Sequence, residues 1–138
     1  MEAMKNGLKR FNMKKVYYAH FMGIYGTPQE KRDIQTLVDL GFEVINPNNW
    51  VMSDRFTKEI KIHGYEVAFD SVFLSEVRDC EVFAFKALPD GRIPGGVAWE
   101  LREAQKRDKL IIELPSGMHA RSMGKDDTRE YLKDIGQR

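Results

Sequence analysis

The chain has little of what several common classes of protein are built from. Its 138 residues include one cysteine, Cys80, which excludes an intramolecular disulfide and a zinc site made of cysteine pairs. Its three histidines, His20, His63 and His119, lack the spacing of metal ligands, so we expect no metal and no cofactor. No apolar run approaches the roughly 20 residues that cross a bilayer, which predicts that no segment spans a membrane.

An excess of charge of one sign is also absent. The 22 Lys and Arg residues are matched by 21 Asp and Glu residues, which gives a formal net charge of +1. Because no overall field would attract a polyanion, we expect neither a nucleic acid polymer nor an acidic membrane as a partner. The single cysteine also fits a reducing compartment, and we expect a cytoplasmic protein.

The composition is that of an ordinary folded domain. Hydrophobic residues make up 42% of the chain, with eight Phe, five Tyr and two Trp, and this length supports one hydrophobic core. Residues 1–13 are polar and basic without the apolar stretch of a secretory signal. We therefore expect residues 1–13 to be a flexible extension and residues 14–138 to form a single domain.

Apolar runs alternate along the chain with segments of helical periodicity. Four of these runs predict strands, at residues 15–20, 42–46, 80–85 and 110–114. The helical segments are predicted to begin at Thr27, to run over 53–77 with a break at Gly64, to run over 97–107, and to begin last at a Thr128 cap. This order predicts a small doubly wound (flavodoxin/Rossmann-like) α/β domain, with a parallel sheet of four to five strands and helices on both faces.

Ligands of such sheets bind beyond the carboxyl ends of the strands. The loops that follow the predicted strands are residues 20–27, 46–49, 86–96 and 116 onward. In the first loop, Gly23 and Gly26 precede a helix N-terminus, where backbone N–H groups favour an anion such as phosphate. A tight connection explains the same two glycines equally well.

Two carboxylates stand near predicted strand and helix ends. The pair Gly95-Gly96 lets the backbone turn closely at a helix start, which places Glu100 near the ligand edge of the sheet. Glu100 either complements the helix dipole or acts on a ligand. Asp79 directly precedes the third strand, where it either ends the preceding helix or takes part in chemistry.

Four segments in this order resemble the nucleoside 2-deoxyribosyltransferase superfamily, including its branch of 2'-deoxynucleoside 5'-monophosphate N-glycosidases: Val16–Ala19, Asp79–Ala84, Gly96–Ala104 and Lys109–Ile112. The similarity spans residues 14–114, and the Gly-x-x-x-Glu-Leu segment is its most specific part. The resemblance implies an enzyme that cleaves an N-glycosidic bond as a hydrolase, or transfers the deoxyribosyl group, on a nucleoside or nucleoside 5'-monophosphate.

The same resemblance implies catalytic roles for three residues. Glu100 would be the nucleophile that forms a covalent glycosyl intermediate. Asp79 would orient the substrate and manage the proton of the leaving base. Tyr17 would donate a hydrogen bond to the nucleophile or to the sugar, with Tyr18 as its substitute if the strand register differs by one residue.

A further set of residues is implied in substrate binding. These are Tyr18, His20, Gly23, Gly26, Thr27, Asn46, Gly96, Arg121 and Ser122. The loop from Gly23 to Thr27 matches the place where the monophosphate branch binds its 5'-phosphate, but it lacks the usual arginine, so the need for a phosphate stays open. His20 would either donate a proton or hydrogen bond to substrate or be a buried histidine with satisfied nitrogens.

Superfamily members complete their sites across a subunit interface, which implies a homodimer or higher homo-oligomer. The segment of residues 116–124 carries Met118 and Met123, which suit an irregular contact, and it would bring Arg121 and Ser122 to the neighbour's site. The alternative is a mobile connector on a monomer. A second function also stays open, a non-catalytic nucleotide-binding or sensing module on the same fold.

Overall fold

The four apolar runs form one parallel sheet. The computed structural model describes residues 13–116 and 122–138, and within them the strand order is β2-β1-β3-β4. Tyr17, near the middle of β1, pairs with Ile45 of β2 on one side and with Phe83 of β3 on the other. The strands are β1 (Lys15–Ala19), β2 (Glu43–Ile45), β3 (Val82–Lys86) and β4 (Leu110–Leu114).

Helices connect the strands and follow the last of them. The third helix contains a π-helical turn at Asp70–Leu74 between two α-helical parts. The helices are α1 (Pro28–Asp39), α2 (Trp50–His63), α3 (Tyr65–Phe69, the π turn and Ser75–Asp79), α4 (Gly95–Lys106) and α5 (Lys125–Asp134). Within the described residues, none of these helices is long and apolar enough to cross a lipid bilayer.

Successive side chains of β1 and β3 point to opposite faces of the sheet, and each face has its own hydrophobic cluster. Tyr17, Phe83 and Phe85 pack with buried residues of α2, α3 and α4. On the other face, Tyr18 and Ala84 pack with Leu37 of α1, among other residues. The predicted doubly wound α/β domain with helices on both faces is therefore confirmed, with four strands in the part of the chain that is described.

In the two described stretches of the chain, side-chain caps mark the starts of α1 and α2, whereas α3, α4 and α5 begin without one, and α4 begins at Gly95 rather than at residue 97. Thr27 caps α1 as predicted, because its Oγ1 accepts the N–H of Glu30 at 3.4 Å. Helix α2 begins earlier than residue 53, because the Asn49 side chain accepts the N–H of Met52 at 2.9 Å. The break at Gly64 is confirmed, with a positive φ of 85° that glycine adopts without strain.

The expected cap at Thr128 is wrong. Helix α5 begins at Lys125, one turn earlier, and Thr128 lies inside it with its hydroxyl donating to the carbonyl of Gly124 at 2.7 Å. Asp126 and Asp127 occupy the first turn, where negative charge interacts favourably with the helix dipole. A threonine whose hydroxyl donates a hydrogen bond to a carbonyl of the preceding turn is compatible with a helix interior. The presence of a threonine near the start of a helix is therefore not sufficient to identify the cap.

Candidate functional site

The sheet has its topological switch point between β1 and β3. The chain leaves β1 through α1 to β2 on one side, and it leaves β3 through α4 to β4 on the other. The loops that follow β1 and β3 therefore diverge at the carboxyl edge and leave a crevice between them, which is where doubly wound folds bind ligands.

Tyr17 and Glu100 form a buried polar pair between β1 and α4. The side chain of Tyr17 leaves β1 on the face covered by α2, α3 and α4, and its hydroxyl donates a hydrogen bond to Oε2 of Glu100. Glu100 lies in the second turn of α4, the helix that begins after the carboxyl end of β3. Tyr17 has no exposed surface, and Glu100 is 6% exposed. The hydrogen bond that the resemblance implies between these residues is present.

Burial controls the ionisation of this pair. Removal from water raises the pKa of Glu100 to about 8, although the hydrogen bond from Tyr17 acts in the opposite direction. Burial also raises the pKa of Tyr17 well above its ordinary value, and the charge of Glu100 adds to this increase. At neutral pH Glu100 is therefore mostly protonated, and Tyr17 keeps its proton.

Tyr25 lies in the loop after β1, where its ring contacts that of His20. Its ring centroid lies 4.8 Å from that of His20. Burial raises the pKa of Tyr25 to about 12, with further contributions from the charges of Glu100 and Glu30. Sequence patterns alone do not identify Tyr25 as a site residue, because a single aromatic residue in a loop belongs to no periodic pattern.

The structure does not bring Asp79 to Glu100. Asp79 is exposed and is the last residue of α3, at the amino end of β3. Glu100 belongs to a helix that begins beyond the carboxyl end of the same strand. Of the two interpretations of Asp79, its position fits the one in which it ends the preceding helix, and the implied role in proton transfer has no support from this geometry.

The loop from Gly23 to Thr27 is closed by contacts of its own. The N–H groups of Ile24, Tyr25 and Thr27 donate to backbone carbonyls three residues earlier in the connection between β1 and α1. The N–H of Gly26 donates to the carboxylate of Glu30 at 3.1 Å. Because that carboxylate occupies the position an anion would take at the start of α1, the loop in this conformation does not offer the expected phosphate site, and the tight-connection interpretation fits it better.

Of the two alternatives for His20, a donor to substrate or a buried histidine with satisfied nitrogens, the structure fits the second. Its side chain has no exposed surface, its Nε2 lies 2.7 Å from Glu30, and its Nδ1 lies 3.0 Å from the carbonyl oxygen of Tyr18. The ring also stacks on that of Tyr18, with centroids 3.8 Å apart. Both nitrogens are therefore occupied, which leaves His20 no free atom for a substrate.

Tyr18 belongs to a buried charge network on the α1 face. Its hydroxyl donates to Asp33 at 2.5 Å, and Nζ of Lys86 lies 3.0 Å from each carboxylate oxygen of Asp33. Nearby, the amide of Asn48 donates to the carboxylate of Glu30. Burial raises the pKa of Glu30, but the hydrogen bonds from His20, Gly26 and Asn48 lower this pKa below its ordinary value. Since Tyr18 points away from Glu100, it does not substitute for Tyr17.

Asp33 and Lys86 are not among the site residues expected from the sequence, although the sequence contains a signal for both. Glu30, Asp33 and Leu37 recur at the helical spacing of the buried face of α1, and all three are buried. Lys86 directly continues the apolar run of β3. Charged residues inside an apolar pattern must be paired when buried, and their appearance in two neighbouring elements could have predicted this ion pair.

The remaining substrate-binding candidates belong to separate segments of the chain. Asn46 follows β2, and its side chain accepts the N–H of Asn48 at 2.9 Å, so it shapes a turn. Gly96 lies in the first turn of α4, where an added Cβ would stand 3.8 Å from the Phe69 ring. Ser122 is exposed ahead of α5. Arg121 lies outside the described residues.

A small cavity of about 120 Å³ opens at this edge, between the loops that follow β1, β3 and β4. Lys86 and Ser116 are among the residues that line it. In the described part of the chain, no group of three His, Cys, Asp or Glu side chains is arranged to hold a metal ion.

In comparisons with known proteins, no family model matches the chain and no curated protein matches it. The fold and the Tyr17–Glu100 pair are therefore the observations on which a function is proposed.

Proposed function

We propose that the protein acts on the N-glycosidic bond of a nucleoside or nucleoside 5'-monophosphate, by hydrolysis or by transfer of the deoxyribosyl group. The observation that carries this proposal is the hydrogen bond from Tyr17 to the buried carboxyl group of Glu100, beside the switch point of the sheet. Ligand crevices of this fold lie at that point, and a positioned carboxylate is the usual nucleophile of retaining glycosyl chemistry.

In the proposed first step, the ionised form of Glu100, which is the minor form at neutral pH because its pKa is raised to about 8, attacks the anomeric carbon of the sugar. A bond forms between Oε and this carbon, and the bond from carbon to the base nitrogen breaks. The base leaves with the electron pair and takes a proton from solvent. Tyr17 holds the carboxylate in the orientation needed for attack, since its hydroxyl remains protonated at neutral pH.

In the second step, water or a second base attacks the same carbon. The bond to Glu100 breaks, its electron pair returns to the carboxylate, and the incoming nucleophile releases a proton. Hydrolysis and transfer differ only in this acceptor. Because Glu100 is 6% exposed, substrate reaches it only when a covering side chain or loop moves aside.

The proposal is tested by incubating the protein with deoxynucleosides, ribonucleosides and their 5'-monophosphates, and measuring free base by chromatography. We expect base release from at least one substrate, and its loss in Glu100→Gln, which keeps the size of the side chain but removes the nucleophile. Glu66→Gln, an exposed change in the first turn of α3, is the matched control and retains activity. No base release from any substrate, or full activity in Glu100→Gln, would contradict the proposal.

A second candidate is a nucleotide-binding or sensing module without catalysis. It is favoured by the burial of Glu100, which raises the pKa of its carboxyl group to about 8. A protonated carboxyl group donates and accepts hydrogen bonds as a glutamine amide does. This alternative predicts nucleotide binding without base release, with affinity retained in Glu100→Gln.

The proposed assembly is a cytoplasmic homodimer in which residues 116–124 reach the neighbour's site. Sedimentation velocity at micromolar concentration tests the dimer, and a monomer of 16.0 kDa would contradict it. Mixing an inactive Glu100→Ala chain with an Arg121→Ala, Ser122→Ala chain tests the shared site. Recovered activity in the mixture would support a site built from two chains, whereas no recovery would count against it.

A further inference from the structure

The cavity at the carboxyl edge combines one buried cation with an apolar wall. Its volume is about 120 Å³. The polar residues that line it are Lys86, Gln29 and Ser116, and the apolar ones are Phe21, Ile24, Ala87 and Pro89. The cavity therefore suits a ligand with one polar end and one apolar end.

Lys86 has donor capacity left toward this cavity. Its ammonium group carries three N–H donors, and among the described residues its hydrogen bonds go only to the two carboxylate oxygens of Asp33, each at 3.0 Å. With two acceptor atoms in one carboxylate, at least one N–H is left over. The side chain of Lys86 is 9% exposed, and a donor removed from bulk water is stabilised by an acceptor in the cavity.

We propose that this cavity is a binding site for a small monocarboxylate with a short hydrocarbon tail. The ligand's carboxylate accepts from the ammonium group of Lys86, and its tail packs against Ile24, Ala87 and Pro89. Since a buried water takes roughly 10–15 Å³ of such volume, the cavity of about 120 Å³ has room for roughly 8–12 water-sized groups. This space accepts a short-chain carboxylate such as butyrate and is too small for a nucleotide.

The charge around the cavity favours a monoanion over a phosphate. The carboxylate of Asp33 already faces Lys86, and a phosphate dianion next to it would be repelled more strongly than a monoanion. A ligand with a hydrocarbon tail also gains binding free energy by burying that tail against the apolar wall, and phosphate has no apolar surface to bury.

The charged end of this site is separate from the Tyr17–Glu100 pair, although Ala87 of its apolar wall belongs to the buried cluster that contains Tyr17. Asp33 contacts Tyr18 and Lys86 on the α1 face, whereas Tyr17 and Glu100 lie among the helices of the opposite face. The inference therefore holds or fails independently of the proposed glycosidic chemistry, and binding rather than activity is the measurement that tests it.

The test is calorimetric titration of the whole chain with sodium butyrate. We expect saturable binding with a dissociation constant on the order of 1 mM, as befits a ligand of this size. Butyramide, which has the same shape without the charge, and inorganic phosphate are expected to bind at least about tenfold more weakly. Absence of saturable butyrate binding, or tighter binding of phosphate or butyramide, would overturn the proposal.

Two sets of variants locate the binding. Ala87→Leu fills the cavity and is expected to abolish butyrate binding, whereas Ala87→Ser preserves the volume and retains it. The double variant Asp33→Asn, Lys86→Met removes both charges together. The side-chain oxygen of the new asparagine still accepts the hydrogen bond from the Tyr18 hydroxyl, and we expect this variant also to abolish butyrate binding. Circular dichroism checks that each variant is folded. Undiminished butyrate binding in folded Ala87→Leu, or in the folded double variant, would overturn the assignment.

Discussion

The hydroxyl of Tyr17 donates a hydrogen bond to the carboxyl group of Glu100, which lies 83 residues further along the chain. One residue belongs to the second strand from the edge of the sheet and the other to the helix that follows the neighbouring strand β3. Both are buried within a largely apolar cluster, where a polar group depends strongly on its partner. This dependence gives the pair measurable consequences for stability and for pH.

Glu100 makes stability depend on pH with a definite sign. Below its ordinary pKa of 4.5 the carboxyl is protonated in both the folded and unfolded chains. Between pH 4.5 and about 8 the unfolded chain releases this proton while the folded chain keeps it, so the free energy of unfolding falls as pH rises. We expect Glu100→Gln, which still accepts the hydrogen bond from Tyr17, to become more stable than the natural chain as pH rises to 8.

Urea denaturation of both proteins from pH 4.5 to 8.5 measures this effect. All other titrating groups are shared, so the difference between the two curves isolates Glu100. Curves that run parallel across this range would contradict the assignment of a raised pKa to Glu100.

Tyr17→Phe is expected to shift the pH dependence of Glu100. The hydrogen bond from Tyr17 lowers the pKa of Glu100 against the effect of burial, so its loss raises that pKa further. If ionised Glu100 is the nucleophile, the ascending limb of the kcat/KM profile moves to higher pH. A limb that stays in place would mean that another group controls ionisation of the active form.

Asp79→Asn is expected to leave base release within about twofold of the natural level, far from the 10²–10⁴-fold loss of an acid–base residue. The reason is the exposed position of Asp79 at the amino end of β3. Steady-state assays of Asp79→Asn beside Glu100→Gln make the comparison. A loss of about a hundredfold or more in Asp79→Asn would place Asp79 in the reaction after all.

The Lys86–Asp33 pair is expected to be costly to break on one side only. Lys86→Met leaves the carboxylate of Asp33 buried without its cation, which costs about 3–5 kcal/mol in the free energy of unfolding. The double variant Asp33→Asn, Lys86→Met should recover most of this loss, because no unpaired charge remains. Chemical denaturation of both variants tests the coupling.

Lys58→Met is the control for this comparison. Lys58 pairs with Asp54 on the exposed surface of α2 at 2.9 Å, and exposed pairs contribute at most about 1 kcal/mol. Equal destabilisation by Lys58→Met and Lys86→Met would contradict the special status of the buried pair.

Local sequence patterns were sufficient to predict most of the architecture. The strand at Leu110–Leu114 matches its apolar run, the Thr27-Pro28 signal marks the start of α1, and Gly64 divides α2 from α3. Each of these features depends on a few neighbouring residues, through side-chain spacing, a cap or a backbone angle. The expectation at Thr128 was wrong for the same reason, since the local sequence around a threonine one turn inside a helix can be the same as that around a threonine that caps a helix.

The placement of the candidate site residues needed the tertiary structure. The sequence determined that Tyr17 and Tyr18 point to opposite faces of β1, because side chains alternate along a strand. Only the packing of α4 and α1 on those faces decided that Tyr17 meets Glu100, that Tyr18 meets Asp33, and that Asp79 remains at the far edge. The strand order and the burial that raises the pKa of Glu100 arise from contacts between residues distant in the chain, which local patterns do not encode.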